Sequence, residues 1–150
     1  MSDERREREP ARYDRGLLDT NILIHWGRLA AHELPLEAAI STVTLAELSA
    51  GVHLVKGNDA AERARRIAVL QRVEHGFDPI PFDAPAARVF GQLSAAVVGV
   101  GRTPRRRVAD LMIAAVAATN NLPLFTTNPA DYDGLDALVT IVPVTRPVSG

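Results

Sequence analysis

The chain has 150 residues, of which 47% are hydrophobic, so it is long enough for one domain with a sizeable core. It contains no cysteine, which excludes disulfides, thiolate zinc sites and a cysteine nucleophile; any bound metal must have oxygen or imidazole ligands. The formal net charge of −1 gives the surface as a whole no preference for nucleic acid, so any basic contact must be local.

The first 15 residues are almost continuously charged or polar, with mixed signs, and cannot bury anything. We expect residues 1–15 to form a disordered tail and residues 16–150 to form the domain. No apolar segment follows the charged start, and no apolar run approaches the roughly 20 residues of a membrane span. We therefore expect a cytoplasmic protein that has no membrane partner.

The rest of the sequence alternates short apolar runs with longer segments of helical periodicity. In chain order it predicts a strand at 16–18, a helix at 22–26, a strand at 39–43, helices at 45–54 and 60–75, a strand at 77–82, helices at 83–100 and 108–120, and strands at 122–126 and 138–144. This alternation predicts a three-layer α/β/α fold with a central, mostly parallel sheet of about five strands flanked by helices. Functional groups in such sheets gather beyond the carboxyl ends of the strands.

Two acids follow the first predicted strands, and each has an alternative explanation. Asp19 ends the first strand, but aspartate there is also a good helix N-cap. Glu47 lies three residues after Thr44, which matches a capping box in which the glutamate reaches back to the Thr44 backbone. Neither acid alone indicates a functional site.

Asp110 is harder to explain structurally, because it lies in a predicted helix that is apolar on nearly every side. A buried aspartate without a partner is costly. Its alternative role is a favourable charge in the first helical turn, worth ~0.3–1 kcal/mol. Neutralisation by a bound cation explains better why so apolar a helix carries an acid.

Asn128 and Asp131 follow the fourth predicted strand, where Asn128 before Pro129 is also a good N-cap. Together with the three acids, they put oxygen ligands where an α/β fold brings chain segments together. Clustered carboxylates raise one another's pKa unless a divalent ion is present, and Mg²⁺ suits such a site. A cation with open positions can orient a phosphodiester and activate water, so the spacing favours phosphodiester hydrolysis.

Four segments resemble the motifs of one known family in order and spacing. They are Leu17-Leu18-Asp19-Thr20-Asn21, Thr44-Leu45-Ala46-Glu47-Leu48, Ala109-Asp110-Leu111-Met112-Ile113-Ala114-Ala115 and Thr126-Thr127-Asn128-Pro129-Ala130-Asp131-Tyr132. Together they resemble the PIN-domain family, and most closely the VapC toxins. The resemblance extends from Gly16 to about Val144, which leaves only the charged N-terminal segment outside it.

The resemblance implies that Asp19, Glu47 and Asp110 take the places of the family's metal-binding acids. It implies an endoribonuclease that uses Mg²⁺ or Mn²⁺ to activate water and hydrolyse phosphodiester bonds in single-stranded RNA regions. Some members carry an aspartate where this chain has Asn128, so whether Asn128 or Asp131 completes the catalytic set stays open. Asparagine can still ligate through its carbonyl oxygen.

The resemblance also implies a partner. VapC proteins are toxins of type II toxin–antitoxin systems and are usually homodimers, which assemble into a heterotetramer or larger complex with a VapB-type antitoxin. The antitoxin's C-terminal tail lies across the active-site groove and often places an arginine near the acids. The alternative is a PIN-like module that binds or processes RNA with weak or no cleavage, because Asn128 weakens the acid set.

Substrate contacts are expected from two places. Thr20 follows Asp19 and, by the resemblance, bonds to phosphate or to a water on the metal; otherwise it is a turn hydroxyl. The densest basic cluster of the folded part consists of Arg102, Arg105, Arg106 and Arg107, which could bind the RNA backbone or form a solvated loop. The four histidines lack metal-ligand spacing and are assigned to the surface or to packing.

Other folds that gather acids at a sheet edge fit less well. A receiver-type domain needs a lysine beside its last strands, but the single lysine, Lys56, lies far from them in the sequence. A haloacid-dehalogenase-like phosphatase needs a second aspartate two residues after the first, where this chain has Asn21. A Walker-type loop with lysine is absent as well.

Overall fold

The computed structural model of the chain describes residues 12–102 and 107–148. Residues 1–11 of the expected tail lie outside the described residues, as do Arg105 and Arg106. The predictions made for them stay predictions.

The described residues form one sheet of four strands. These are β1 (Arg15–Leu18), β2 (Glu37–Ala39), β3 (Leu124–Thr126) and β4 (Ile141–Pro143). The strand order is β2-β1-β3-β4, and every neighbouring pair is parallel. Leu18, the last residue of β1, pairs with Phe125 near the end of β3. The residues that follow these two central strands therefore meet at one edge of the sheet.

In the described residues, five α-helices cover the sheet. They are α1 (Thr20–Ile24), α2 (Thr42–His53), α3 (Ala60–Gly76), α4 (Ala84–Gly99) and α5 (Val108–Thr119). The first four each begin after a polar side chain that accepts a bond from a backbone N–H of the first turn, namely Asp19, Ser41, Asp59 and Asp83. Across the described segments, no helix combines the length and the apolar character needed to cross a membrane.

Each face of the sheet has its own core, because successive strand residues point to opposite sides. Leu17 and Leu124 pack with apolar residues of α4 and α5 on one face. Leu18 and Phe125 pack with apolar residues of α1, α2 and α3 on the other. This arrangement confirms the predicted three-layer α/β/α fold with a parallel sheet.

The strand predicted at 77–82 is wrong, and this accounts for a sheet of four strands instead of about five. A single parallel bridge, between Ser41 and Ile80, is all that the segment contributes to strand pairing among the described residues. Pro79 and Pro81 flank Ile80 and have no N–H to donate, so a continuous ladder cannot form there.

The boundary of the predicted N-terminal tail is also corrected, because the fold begins before Gly16. Arg15 is the first residue of β1. The Tyr13 ring packs edge-on against Phe125, with ring centres 5.7 Å apart. Arg12 Nε donates a hydrogen bond of 2.7 Å to the Leu34 carbonyl. Residues 12–15 are therefore part of the folded domain.

Candidate active site

Asp19 lies at the carboxyl end of β1 and is also the N-cap of α1, so its predicted position after the first strand and its capping role are both observed. Its Oδ1 accepts a bond of 2.8 Å from the Thr20 backbone N–H. Its Oδ2 accepts bonds from Asn21 Nδ2 at 3.1 Å, Thr126 Oγ1 at 2.8 Å and the Tyr132 hydroxyl at 2.8 Å. With only 3% of its surface exposed, this carboxylate is fixed by donors from three segments of the chain.

Burial raises the pKa of Asp19 above its ordinary value, although the bonds from Thr126, Tyr132 and Thr20 act in the opposite direction. The charge of Asp131 raises the pKa of Asp19 further. Because Oδ2 already accepts from three donors, Oδ1 is the oxygen with a lone pair left for another ligand.

Glu47 joins the site through Thr20. The Thr20 hydroxyl donates to Glu47 Oε1 at 2.6 Å and lies 3.1 Å from the Thr44 hydroxyl. The capping-box explanation of Glu47 is wrong, since Ser41 caps α2 through the Thr44 N–H and the helix begins at Thr42. Burial is the main cause of the raised pKa of Glu47, and the charge of Asp19 contributes.

Asp110 lies in the first turn of α5, and its half-buried carboxylate has a strongly raised pKa. Burial, followed by the charges of Asp19, Asp131 and Glu47, raises its pKa to about 7. Arg107 opposes this rise, with its Nη1 3.8 Å from Asp110 Oδ2. The acids from four separate segments are therefore close enough to act on one another, and we call Asp19, Glu47, Asp110 and Asp131 the acid cluster.

Asp131 and Asn128 differ in how they take part. Asp131 accepts a short hydrogen bond from Arg107 Nη1. Asn128 bonds through its backbone N–H to Thr126 Oγ1 at 3.0 Å, and its side chain makes no capping bond to the 3₁₀ turn Pro129–Tyr132. Of the two candidates, Asp131 is the one whose charge acts on Asp19 and Asp110.

Three further polar residues were not singled out from the sequence. Thr126 and Tyr132 donate to Asp19, while Asn21 donates to Asp19 and accepts from the Thr127 N–H at 3.0 Å. All three lie inside the motifs given above. From the sequence alone, however, Tyr132 cannot be told from an ordinary core residue. Its hydroxyl contact spans 113 positions of the chain.

The predicted basic cluster is only partly described, and its described members are engaged by acids. Arg102 Nη2 lies 3.0 Å from Asp133 Oδ2. Arg107 contacts Asp131 and Asp110. In this arrangement the two arginines face carboxylates, so their expected contact with RNA stays a prediction.

The chemistry of the acid cluster fits a hard divalent cation. Carboxylate oxygens are the ligands that such ions prefer, and the pKa of Asp110 is raised by burial and then by the negative charges of Asp19, Asp131 and Glu47. In residues 12–102 and 107–148, no three Asp, Glu, His or Cys side chains are placed so that they could hold a metal ion together. Mg²⁺ usually keeps several waters and needs only one or two carboxylates, which suits acids that are near one another but not drawn together.

The sequence is similar to known proteins along most of its length. The PIN domain profile matches residues 16–138. Ribonuclease VapC5 of Mycobacterium tuberculosis is 38% identical over 129 residues, which are 84% of this chain and 91% of the relative. Ribonuclease VapC of Rickettsia bellii is 29% identical over 113 residues, covering 72% of this chain and 78% of the relative.

Solved structures agree with the sequence matches. A crystal structure of VapBC-5 from Mycobacterium tuberculosis, a member of the VapBC family of toxin–antitoxin systems, superposes with a TM-score of 0.71 and 36% identity over 87% of this chain and 99% of the matched chain. FitAcB from Neisseria gonorrhoeae gives a TM-score of 0.62 at 26% identity over 83% of this chain and 94% of the matched chain. With the fold, the four motifs and the acid cluster in agreement, the chain belongs to the PIN-domain family, among its VapC members.

Proposed function

We propose that the chain is a Mg²⁺- or Mn²⁺-dependent endoribonuclease and the toxin of a type II toxin–antitoxin pair. The observation that carries the proposal is the convergence of Asp19, Glu47, Asp110 and Asp131 from four segments, with Asp110 perturbed by all the others. Structural ion pairs do not account for this arrangement, because Arg107 is the one cation that the described residues bring to Asp110.

Each acid has a distinct place in the proposed reaction. Asp19, Glu47 and Asp110 would hold the cation, directly or through waters that it retains, with Asp19 using Oδ1 because its other oxygen is filled. Asp131 adds negative charge and positions Arg107. When bound, a divalent cation neutralises the attacked phosphodiester, activates water and stabilises the leaving oxygen. Thr20 orients Glu47 through its hydroxyl.

The names of the relatives support the reaction class and the partner. Two relatives are named ribonucleases, one of them at 38% identity over 91% of its length. The VapBC-5 structure comes from a toxin–antitoxin family. By this likeness we extend to the chain an RNA substrate, a VapB-type antitoxin, a homodimer that joins the antitoxin in a larger complex, and a cytoplasmic location.

RNA cleavage by the purified protein tests the proposed activity. With Mn²⁺ or Mg²⁺ the wild type should cleave single-stranded RNA, and excess EDTA should abolish the activity. Asp19→Asn and Asp110→Asn should each lose more than ~100-fold, since even supporting residues of metal sites cost ~10–100-fold when changed. Asp78→Asn is the matched control, because Asp78 is an exposed aspartate away from the acid cluster. Equal activity in all four proteins would end the metal–carboxylate proposal.

The toxin assignment has its own test. Induced expression of the chain alone should arrest bacterial growth, whereas the Asp110→Asn variant at the same level should not. Growth arrest by both proteins would show toxicity without cleavage and would favour the RNA-binding alternative.

A further inference from the structure

A cavity of about 560 Å³ opens between α1, α2 and α3, beside the acid cluster. Thr20 and Glu47 line it, so the cavity and the proposed catalytic residues share a wall. Its volume lies within the ~300–1,000 Å³ of protein sites for small organic ligands. It can therefore accept a nucleotide-sized part of a longer chain.

The cavity lining carries an excess of positive charge outside the acid cluster. Arg65 and Arg66 share the one carboxylate of Glu62, at 2.7 and 2.9 Å. Arg66 is further tied to the Gly51 carbonyl at 2.7 Å and has a structural role between α2 and α3. Arg65 is more open, with 66% of its side chain exposed. Two guanidinium groups on one carboxylate leave a net positive surface that can receive an anion.

Arg28 adds a third guanidinium to the lining and is exposed. Within the described part of the chain, no carboxylate lies at salt-bridge distance from it. Its Nη2 lies 2.9 Å from His25 Nδ1, and because a guanidinium can only donate, that nitrogen accepts. Burial and the charges of Arg28 and Arg146 lower the pKa of His25. Arg28 therefore carries its charge beside a neutral imidazole and not beside a carboxylate.

The same cavity has an apolar part formed by Ile24, Leu48 and Val69. Ile24 is 53% exposed although it is a large hydrophobic residue. Single-stranded RNA presents both chemistries at once, with phosphates that pair with arginine and unstacked bases that pack on apolar or aromatic surfaces.

We propose that this cavity holds the RNA strand adjoining the cleaved phosphodiester, with Arg28 and Arg65 on backbone phosphates and Ile24 against a base. The proposal rests on the proposed ribonuclease function and deepens it by assigning the path of the substrate. It keeps the predicted contact at Thr20, which lines the cavity, but differs from the sequence-based expectation that placed the basic RNA contacts at Arg102, Arg105, Arg106 and Arg107. Arg102 and Arg107 face carboxylates, whereas Arg28 lines the cavity with no carboxylate of the described residues at salt-bridge distance.

Binding and cleavage of one labelled single-stranded RNA by matched variants test this path. Arg28→Gln and Arg65→Gln should each raise KM several-fold with kcat unchanged, because a phosphate contact holds the substrate without entering the reaction. Each should make the negative slope of log affinity against log salt less steep by about 0.7. Arg88→Gln is the control, since Arg88 is an exposed arginine of α4, on the opposite face of the sheet. Ile24→Ser should raise KM and leave the salt slope unchanged.

The outcomes separate this proposal from the one on which it rests. If the wild type cleaves no RNA, the ribonuclease function itself fails. If the wild type cleaves RNA while Arg28→Gln and Arg65→Gln keep the KM and salt slope of Arg88→Gln, the substrate path is overturned and the ribonuclease stands. Thermal unfolding of every variant should match the wild type, because the changed side chains are exposed; a KM effect accompanied by unfolding would also overturn the assignment.

Discussion

The two sides of the acid cluster are held in different ways. Asp19 is 3% exposed and accepts hydrogen bonds from Thr20, Asn21, Thr126 and Tyr132. The side chain of Asp110 is 25% exposed, and among the described residues the cation nearest to it, Arg107, lies at 3.8 Å. Both carboxylates have a raised pKa with burial as the main cause; hydrogen bonds from Thr126, Tyr132 and Thr20 offset the rise at Asp19, and the charge of Arg107 offsets it at Asp110.

We propose that this difference gives the metal site one fixed ligand, Asp19, and one adjustable ligand, Asp110. A buried carboxylate that accepts several bonds cannot change its orientation without orphaning donors, which is costly. Among the described residues, no comparable set of donors holds Asp110, whose pKa is raised first by burial and then by the charges of Asp19, Asp131 and Glu47.

Removing the Asp19 side chain should destabilise the fold strongly. Asp19→Ala deletes the cap of α1 and leaves buried donors of Thr126 and Tyr132 without an acceptor. Caps contribute ~0.5–2 kcal/mol and an orphaned buried donor costs ~1–3 kcal/mol, so we expect a loss of about 3 kcal/mol. Urea unfolding in EDTA measures this value. Asp78→Ala is the control, and a loss no larger than that of the control would contradict the fixed-ligand interpretation.

Removing one donor to Asp19 should have a smaller effect on both stability and metal binding. Tyr132→Phe keeps the buried ring but leaves Asp19 Oδ2 without its 2.8 Å bond from the hydroxyl. Bonds to charged groups are worth ~1.5–3 kcal/mol, and relaxation reduces the net loss to about 1–2 kcal/mol. The bond from Tyr132 lowers the pKa of Asp19, so its loss should raise that pKa. Protons then compete better with Mn²⁺ for Asp19, and Mn²⁺ affinity at pH 6 should fall. Calorimetric titration that gives unchanged affinity would separate Tyr132 from the metal site.

At Asp110, in contrast, removing the charge should raise the free energy of unfolding. Its pKa of about 7 lies above the ordinary 3.8, so between about pH 4 and 7 the folded chain holds a proton that the unfolded chain has released. The free energy of unfolding therefore falls as pH rises through this window, and the full cost remains above pH 7. Asp110→Asn in EDTA should be more stable than wild type at pH 8, by about 1 kcal/mol after allowing for solvent screening.

The negative charge of Asp110 should make metal binding stabilise the fold at high pH. Mn²⁺ should raise the unfolding temperature of the wild type more at pH 8 than at pH 5, because the acids must be deprotonated to bind it. Asp110→Asn should lose most of that increase. If added Mn²⁺ stabilises wild type and variant equally at both pH values, Asp110 is not a ligand.

The contrast also explains how far the sequence could predict the site. Asp19, Glu47 and Asp110 were predicted because each lies in a short motif at the end or start of a regular element. Tyr132 and Thr126 were not, because their role exists only in contacts with Asp19 across more than a hundred residues. Periodicity reports that a tyrosine is buried, but not which acceptor its hydroxyl meets.

Local sequence patterns also predicted the fold more completely than they predicted the exact limits of each element. Alternating strands and helices predicted the parallel sheet, since local patterns decide that architecture. The segment around Ile80 has the composition of a strand, yet two prolines restrict it to one bridge with Ser41. The start of α2 was misplaced because both Ser41 and Thr44 are good caps, and the choice between them depends on tertiary contacts, including that of Thr20 with Glu47.

The smallest effect is expected at Arg107, the cation between Asp110 and Asp131. With Arg107→Gln, Asp110 loses the charge that lowers its pKa, so apparent stability in EDTA should fall by less than ~1 kcal/mol, as for other partly exposed ion pairs. Mn²⁺ should bind a few-fold more tightly, because a guanidinium at these carboxylates competes with the metal for the same negative charge. Arg88→Gln serves as the control in calorimetric titrations at low salt. Weaker Mn²⁺ binding by Arg107→Gln would instead mean that the arginine holds Asp131 and Asp110 in place for the metal, which would make the adjustable side of the acid cluster as preorganised as the Asp19 side.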